Sequence, residues 1–124
     1  MRILLGITGG IAAYKAANLI RGLSELGHEV TVVPTENALR FIGKPTLESL
    51  SGHAIETDMY QDVAQVRHVA LGQNADLIVV APASASFMAR YAAGIADDLM
   101  LNAILASSAP VVVVPAMHTE LWQN

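Results

Sequence analysis

The stretch Arg2-Ile3-Leu4-Leu5-Gly6-Ile7-Thr8-Gly9-Gly10-Ile11-Ala12-Ala13-Tyr14-Lys15 decides the fold. Its opening aliphatic run is short and reads as a buried strand, which Thr8-Gly9-Gly10 ends in a tight turn. Beyond the turn, Ile11, Ala12, Tyr14, Ala16, Leu19, Ile20, Leu23 and Leu26 recur at helical spacing. A helix is therefore predicted over residues 12–26, with Gly27 as its C-terminal cap. Residues 29–33 form a second strand, closed by Pro34. Strand, glycine turn, helix and strand make one βαβ unit, the connection that parallel strands require.

Outward from that unit the same order repeats. Thr35 reads as the N-cap of a short helix through Phe41, and Thr46 as the N-cap of another toward Leu50. Residues 51–63 lack periodicity and read as loop, and residues 66–74 as a short helix. Residues 76–81 form a strand that Pro82 stops. Helices follow over 85–92 and 98–107, then a fourth strand over 111–114 that ends in Pro115. Strands of continuous Val, Ile and Leu alternating with helices predict an α/β class. The architecture expected is a Rossmann-like, flavodoxin-like parallel sheet covered by helices on both faces, a three-layer sandwich. At 124 residues the chain has room for one domain with a real core, and residues 1–124 show no linker or repeat.

Composition narrows the function classes. Hydrophobic residues make up 53% and charged residues 15%, a more apolar balance than an ordinary soluble domain has. No uninterrupted apolar run approaches the roughly 20 residues of a membrane-spanning helix. The start of the chain carries no cleavage-like site of a signal peptide. A soluble, cytoplasmic protein with no membrane partner is expected, its apolar excess covered by copies of itself. The net charge of −4 and the lack of a basic stripe exclude a nucleic-acid partner. With no cysteine, and no histidine pair at metal-ligand spacing, no metal is expected.

Ligands of an open parallel sheet bind at the carboxyl ends of its strands. Residues 8–12, 34–38, 82–86 and 115–122 occupy that rim. In the first, small residues let backbone amides approach a phosphate at a helix N-terminus. The pattern is neither the spaced-glycine dinucleotide motif nor a P-loop, which favours a mononucleotide; a turn that simply needs glycine fits equally well. Thr35 can cap a helix or bond a phosphate. Ala81-Pro82-Ala83-Ser84-Ala85-Ser86 leaves room for a flat ring beside two hydroxyls, or for close packing of helix on sheet. Of the histidines, His28 reads as solvated, His53 carries no signal, and His68 lies among apolar residues as a packed side chain would. His118 sits at a strand end. Asp97-Asp98 starts a helix, where capping and the dipole favour carboxylates over a catalytic use.

Five motifs in order, Gly9 to Lys15, Arg67-His68, Pro82-Ala83-Ser84-Ala85, Gly94-Ile95-Ala96-Asp97-Asp98-Leu99 and Pro115-x-Met117-x-x-x-x-Trp122, resemble the homo-oligomeric flavin-containing cysteine decarboxylases. The resemblance covers nearly the whole chain. It implies FMN as cofactor, its phosphate on Gly9, Gly10, Ile11 and Ala12 with help from Thr35. Pro82, Ala83, Ser84 and Ala85 would line the isoalloxazine ring, with Phe41 and Met117 nearby. His68 would be the base beside the flavin, acting across a subunit interface of a trimer or a higher assembly of trimers. Ala116, Met117 and His118 would meet the carboxylate and cysteine end of the substrate.

The activity so implied is oxidative decarboxylation of the small molecule 4′-phosphopantothenoylcysteine to 4′-phosphopantetheine in coenzyme A biosynthesis, often in a chain fused to a phosphopantothenate–cysteine ligase domain. A peptide's C-terminal cysteine as substrate, or a non-catalytic flavin-binding regulatory subunit, are the alternatives. The chemistry suits the parts. A simple carboxylate does not lose CO2 readily, because the carbanion left behind has nowhere to place its charge. Oxidation of the cysteine to a thioaldehyde lets that charge move to sulfur. His68, with an ordinary pKa of about 6.5, suits the proton transfer near neutrality.

This chain departs from the family pattern at His118, where Asn is common, at Ser86, often Asn, and at Leu121, often Met. The family's substrate flap and its cysteine would follow Asn124, so the chain reads as truncated at its C-terminus.

Overall fold

Ile3, Leu4, Leu5 and Ile7 of β1 (Arg2–Ile7) are all 2% exposed or less, as expected of a strand with helices on both sides. The computed structural model describes residues 1–58 and 62–124, and of residues 62–65 the backbone alone. β1 pairs in parallel with β2 (Glu29–Pro34) on one side and β3 (Leu77–Ala83) on the other, and β4 (Val111–Pro115) lies beyond β3. The order is β2-β1-β3-β4. Leu5 stands opposite Val32 in one neighbour and Val79 in the other.

Alternation along β1 divides the core. Leu5 and Ile7 pack with Ile20 of α1 (Ala16–Glu25), Leu47 of α2 (Lys44–Ser51), Val30 and Val32. Leu4 points the other way, into a cluster with Ile78, Val80, Phe87 of α4 (Ala85–Ala92), and Leu101 and Ile104 of α5 (Leu99–Leu105). The predicted three-layer α/β sandwich is the observed one. On this second face α3 (Asp62–Asn74) lies against α5 so closely that a Cβ added to Gly72 would overlap the backbone carbonyl of Ala103. The chain places β2 to one side of β1 and then β3 to the other, so its direction of winding reverses between β1 and β3. In such a sheet the crevice at that reversal is where ligands bind.

Five sequence expectations need correction. The helix expected over residues 12–26 is split into a 3-10 turn, Ile11–Lys15, followed by α1. Ala13 N–H donates to the Gly10 carbonyl, and the tightened turn brings both Ala13 and Ala16 into the core. Gly27, with φ +88, does end α1 as expected. Thr46 is no cap, because α2 starts at Lys44 after an extended Gly43 with Pro45 preset in the first turn. β3 does not stop at Pro82. It continues through a cis Ala81–Pro82 bond to Ala83, with the ladder irregular between Val80 and Ala83, where proline has no N–H to give. Finally, α3 begins at Asp62 rather than Val66, and α5 ends at Leu105 rather than Ser107. The part of the expected 51–63 loop at residues 59–61 lies outside the described residues.

Among the described residues no helix is long and apolar enough to cross a membrane. β4 is an edge strand whose Val112 and Val114 are 45% and 46% exposed on one face.

The two helical glycines make opposite predictions. Gly72→Ala should lower stability by about 1–3 kcal/mol through overpacking of α3 on α5. Gly22→Ala, in α1 with open space around the added methyl, should raise it by about 0.5–1 kcal/mol. Urea denaturation of both variants checks this, and a stable Gly72→Ala would refute the close contact.

Candidate functional site

At the reversal point, β1 and β3 are joined by a side chain as well as by their ladder. Thr8, 2% exposed, donates its backbone N–H to the Pro82 carbonyl (3.1 Å), and its hydroxyl donates to the same oxygen (2.6 Å). The same Oγ1 accepts the Ser84 N–H (2.8 Å). Ser84 in turn caps α4, its Oγ accepting the Phe87 N–H (3.1 Å). Thr35 N–H donates to the Ile7 carbonyl, and its Oγ1 accepts the Ala38 N–H at 3.2 Å. The hydroxyl bond expected of Thr35 is therefore present, but the turn it precedes is a 3-10 turn, Asn37–Arg40, whose N-cap residue is Glu36 rather than Thr35.

These strand ends surround a polar cavity of about 340 Å³. Gly9, Thr35 and Ser84 line it, and so do Thr8, Asn37, Ser86 and Arg90. Among the described residues, nothing accepts the backbone N–H groups of Gly9, Gly10, Ile11 and Ala12. Four consecutive unengaged donors at a strand-to-helix turn are groups of the kind that bind anions; of these residues Gly9 borders the polar cavity and Ala12 a separate, apolar slot. Gly9 is glycine for close approach, since a Cβ there would overlap the Asn37 amide. Gly10 has no such reason: its backbone is extended and nothing lies within 4 Å of an added Cβ. That open space beside free amides fits a phosphate.

The remaining expected residues divide among other places. Ala12, Pro82 and Ala116 line a second, apolar slot of about 330 Å³, together with Lys15, Leu19 and Val114. Ala116 and Met117 border a third hollow with Pro115 and Trp122. Ala83 is wholly buried in the core, and its carbonyl accepts the Ala116 N–H, so its side chain meets no ligand. Ala85 opens α4 and is half-buried, Ile11 is 86% exposed and Phe41 is 45% exposed. His118 is exposed. Its Nδ1 accepts the Glu120 N–H (3.3 Å) as the cap of α6 (Thr119–Gln123), which in the neutral ring leaves the proton on Nε2. His68 is 2% exposed on α3 and lines neither the polar cavity nor the apolar slot.

Arg90 went unnoticed in the sequence. It donates from one guanidinium nitrogen to Asp97 (2.9 Å) and Asp98 (3.0 Å), seven and eight residues away, a spacing that no single helix reveals. Partial burial works against its charge, but its hydrogen bonds to Asp97 and Asp98 and their negative charges outweigh it and hold Arg90 above its ordinary value. Asp98 also accepts the Leu101 N–H, so the expected cap of α5 is present. Glu56, next to the cavity-lining Thr57 and Asp58, accepts both their N–H groups. The bond from Asp58 is the main reason its carboxyl lies below the usual 4.5; partial desolvation works against this, and the Thr57 bond adds to it. Arg90 is the cavity's one cation among the described residues, and it is matched by carboxylates. An anion here would be held by N–H and O–H donors. No cluster suited to a metal occurs among the described residues.

A parallel α/β sheet with a polar cavity at its reversal point, bordered by Gly9, Thr35 and Ser84, defines the ligand-binding class of open, doubly wound α/β proteins. The chain belongs to the flavoprotein family, whose model, described as Flavoprotein, matches residues 1–124. It is 54% identical over 121 residues to the coenzyme A biosynthesis bifunctional protein CoaBC of Mycolicibacterium smegmatis, covering 98% of this chain and 29% of that protein. To CoaBC of Vibrio vulnificus it is 46% identical over 125 residues, covering 99% and 31%. The chain thus spans less than a third of these relatives. Among solved structures, the FMN-dependent cysteine decarboxylase SpaF matches with a TM-score of 0.90 at 34% identity, covering 100% of this chain and 73% of that one. A PPC decarboxylase mutant matches with a TM-score of 0.86 at 34% identity, covering 99% and 74%.

Two predictions follow from the hydrogen bonds around the cavity. Asp98→Asn keeps a good cap and should cost little, whereas Asp98→Ala should cost about 1 kcal/mol in chemical denaturation. Since the Glu56 carboxyl lies below 4.5 in the folded chain, its bonds stabilise residues 56–58 above that pH and are lost as pH falls through the lowered value. The Thr57 and Asp58 amide signals should titrate together in NMR with a midpoint under 4.5; a midpoint at or above it would remove this account.

Proposed function

We propose that this chain is the FMN-dependent decarboxylase domain that converts 4′-phosphopantothenoylcysteine to 4′-phosphopantetheine in coenzyme A biosynthesis. The observation that carries the reading is the row of four unengaged N–H groups at Gly9 to Ala12 beside the open space at Gly10. Identity to CoaBC proteins over nearly the whole chain supports the coenzyme A substrate over a peptide.

Gly9 to Ala12 hold the phosphate through backbone amides, and Thr35 adds its hydroxyl proton. One Oγ1 lone pair serves Ala38, and that bond leaves the hydroxyl proton to donate. Ser84 presents its hydroxyl in the same way, and Pro82 and Ala85 bound the ring. Bound FMN supplies a two-electron oxidant for the substrate's cysteine carbon. His68 accepts the proton released there, reached from a neighbouring copy of the chain. Ala116, Met117 and the Nε2–H of His118 receive the substrate carboxylate. Exposed Ile11, Tyr14, Val112, Val114 and Trp122 support self-assembly, as trimers or trimers grouped further. The domain works in the cytoplasm within a longer protein that carries the ligase domain.

The purified chain should turn yellow on taking up FMN. In the full-length protein, His68→Asn should retain flavin and lose CO2 release by about 100-fold or more. A variant as active as wild type would remove His68 from its role.

A further inference from the structure

The reversal point of the sheet is closed by one hydroxyl. Thr8 Oγ1 is both donor, to the Pro82 carbonyl at 2.6 Å, and acceptor, from the Ser84 N–H at 2.8 Å. Only a small hydroxyl side chain does both in a space this buried; Thr8 is 2% exposed. Removing the hydroxyl would leave the two bonds unequally replaced. The Pro82 oxygen would keep the Thr8 N–H, whereas the Ser84 N–H would have no acceptor.

We infer that Thr8 is a positioning residue for the flavin site: its hydroxyl fixes the Ser84 wall against the glycine turn, and fixes which Ser84 group faces the ligand. The Ser84 amide is spent on Thr8, and one of the two Ser84 Oγ lone pairs is spent on Phe87. What Ser84 can still offer is its hydroxyl, as a donor through the proton and as an acceptor through the second lone pair. A ligand atom received at that wall therefore meets the Ser84 hydroxyl and not the Ser84 amide. Thr8 itself immediately precedes the free amides of Gly9 and Gly10, so the same bonds set the distance between the phosphate end of the cavity and its Ser84 side.

This rests on the flavin reading above. The test is FMN affinity by quenching of flavin fluorescence, with the visible spectrum of the saturated protein as a second readout. Thr8→Val, equal in shape, should weaken FMN binding about tenfold or more, the order expected when a buried donor loses its partner. It should also shift the flavin bands at saturation. Thr8→Ser should restore both affinity and spectrum to within a few-fold of wild type. Ile20→Val, which loosens the α1 core away from the cavity, should lower the melting temperature and leave FMN affinity unchanged.

A Thr8→Val protein with wild-type affinity and spectrum overturns the inference. So does a Thr8→Ser protein that loses as much as Thr8→Val, which remains decisive if the valine variant does not fold. Loss of affinity in Ile20→Val at a matched melting temperature would reduce Thr8 to a structural residue. Wild type that takes up no FMN would overturn the functional reading and this inference together, an outcome distinct from failure of the Thr8 variants alone.

Discussion

The structure depends on the parallel pairing of β1 with β3, fastened past its last rung by Thr8. Everything at the candidate site is reached from those two strands. β1 ends in the glycine turn, and β3 leads through Ala83 to the cap of α4. Neither strand is long, so the ladder alone would leave their ends free to splay. Three hydrogen bonds between Thr8 and residues 82–84 hold the ends together where a ligand would otherwise have to order them on binding. A cavity whose walls are ordered in advance binds its ligand without that entropic cost.

The cavity offers hydrogen-bond donors rather than an uncommitted positive charge among the described residues. Its one cation among the described residues is committed to Asp97 and Asp98, and Glu36 and Asp58 also stand at its edge. Backbone amides are fixed by the fold, cannot swing away and are matched to an oxyanion by geometry. Arg90 instead does structural work. It ties α4 to the turn before α5, whose first residues close one side of the cavity. The apolar slot on the far side of Pro82 supplies the contrasting surface that a flat ring with a charged tail would need.

Much of this was legible in the chain. Uninterrupted Val, Ile and Leu runs bounded by glycine and proline located all four strands, and their alternation with helices identified the layered sheet. Helix ends were less legible. The pattern of residues 11–26 is the same for a 3-10 turn followed by an α-helix as for one helix, since Ala13 and Ala16 lie on the buried side in both. Thr46 met the rule for a cap, but Gly43-Lys44-Pro45 started the helix earlier through backbone angles instead. Among the site residues, Gly9, Thr35 and Ser84 were found from their places at strand ends, and the structure gathers them round one cavity. Asn37 and Arg90 carried no local signal, because their partners are brought near only by folding.

By itself the sequence determined the parallel α/β layering, the rim at which the polar cavity lies and the small residues that open it, because those follow from local periodicity and from side-chain size. The tertiary structure decided which hydroxyls and amides are engaged and which stay free. Thr8 and Ser84 are 76 residues apart in the chain, and only the reversal of the sheet brings them to 2.8 Å. Whether a donor is available to a ligand depends on the partner the fold has already given it, and no pattern along the chain records that.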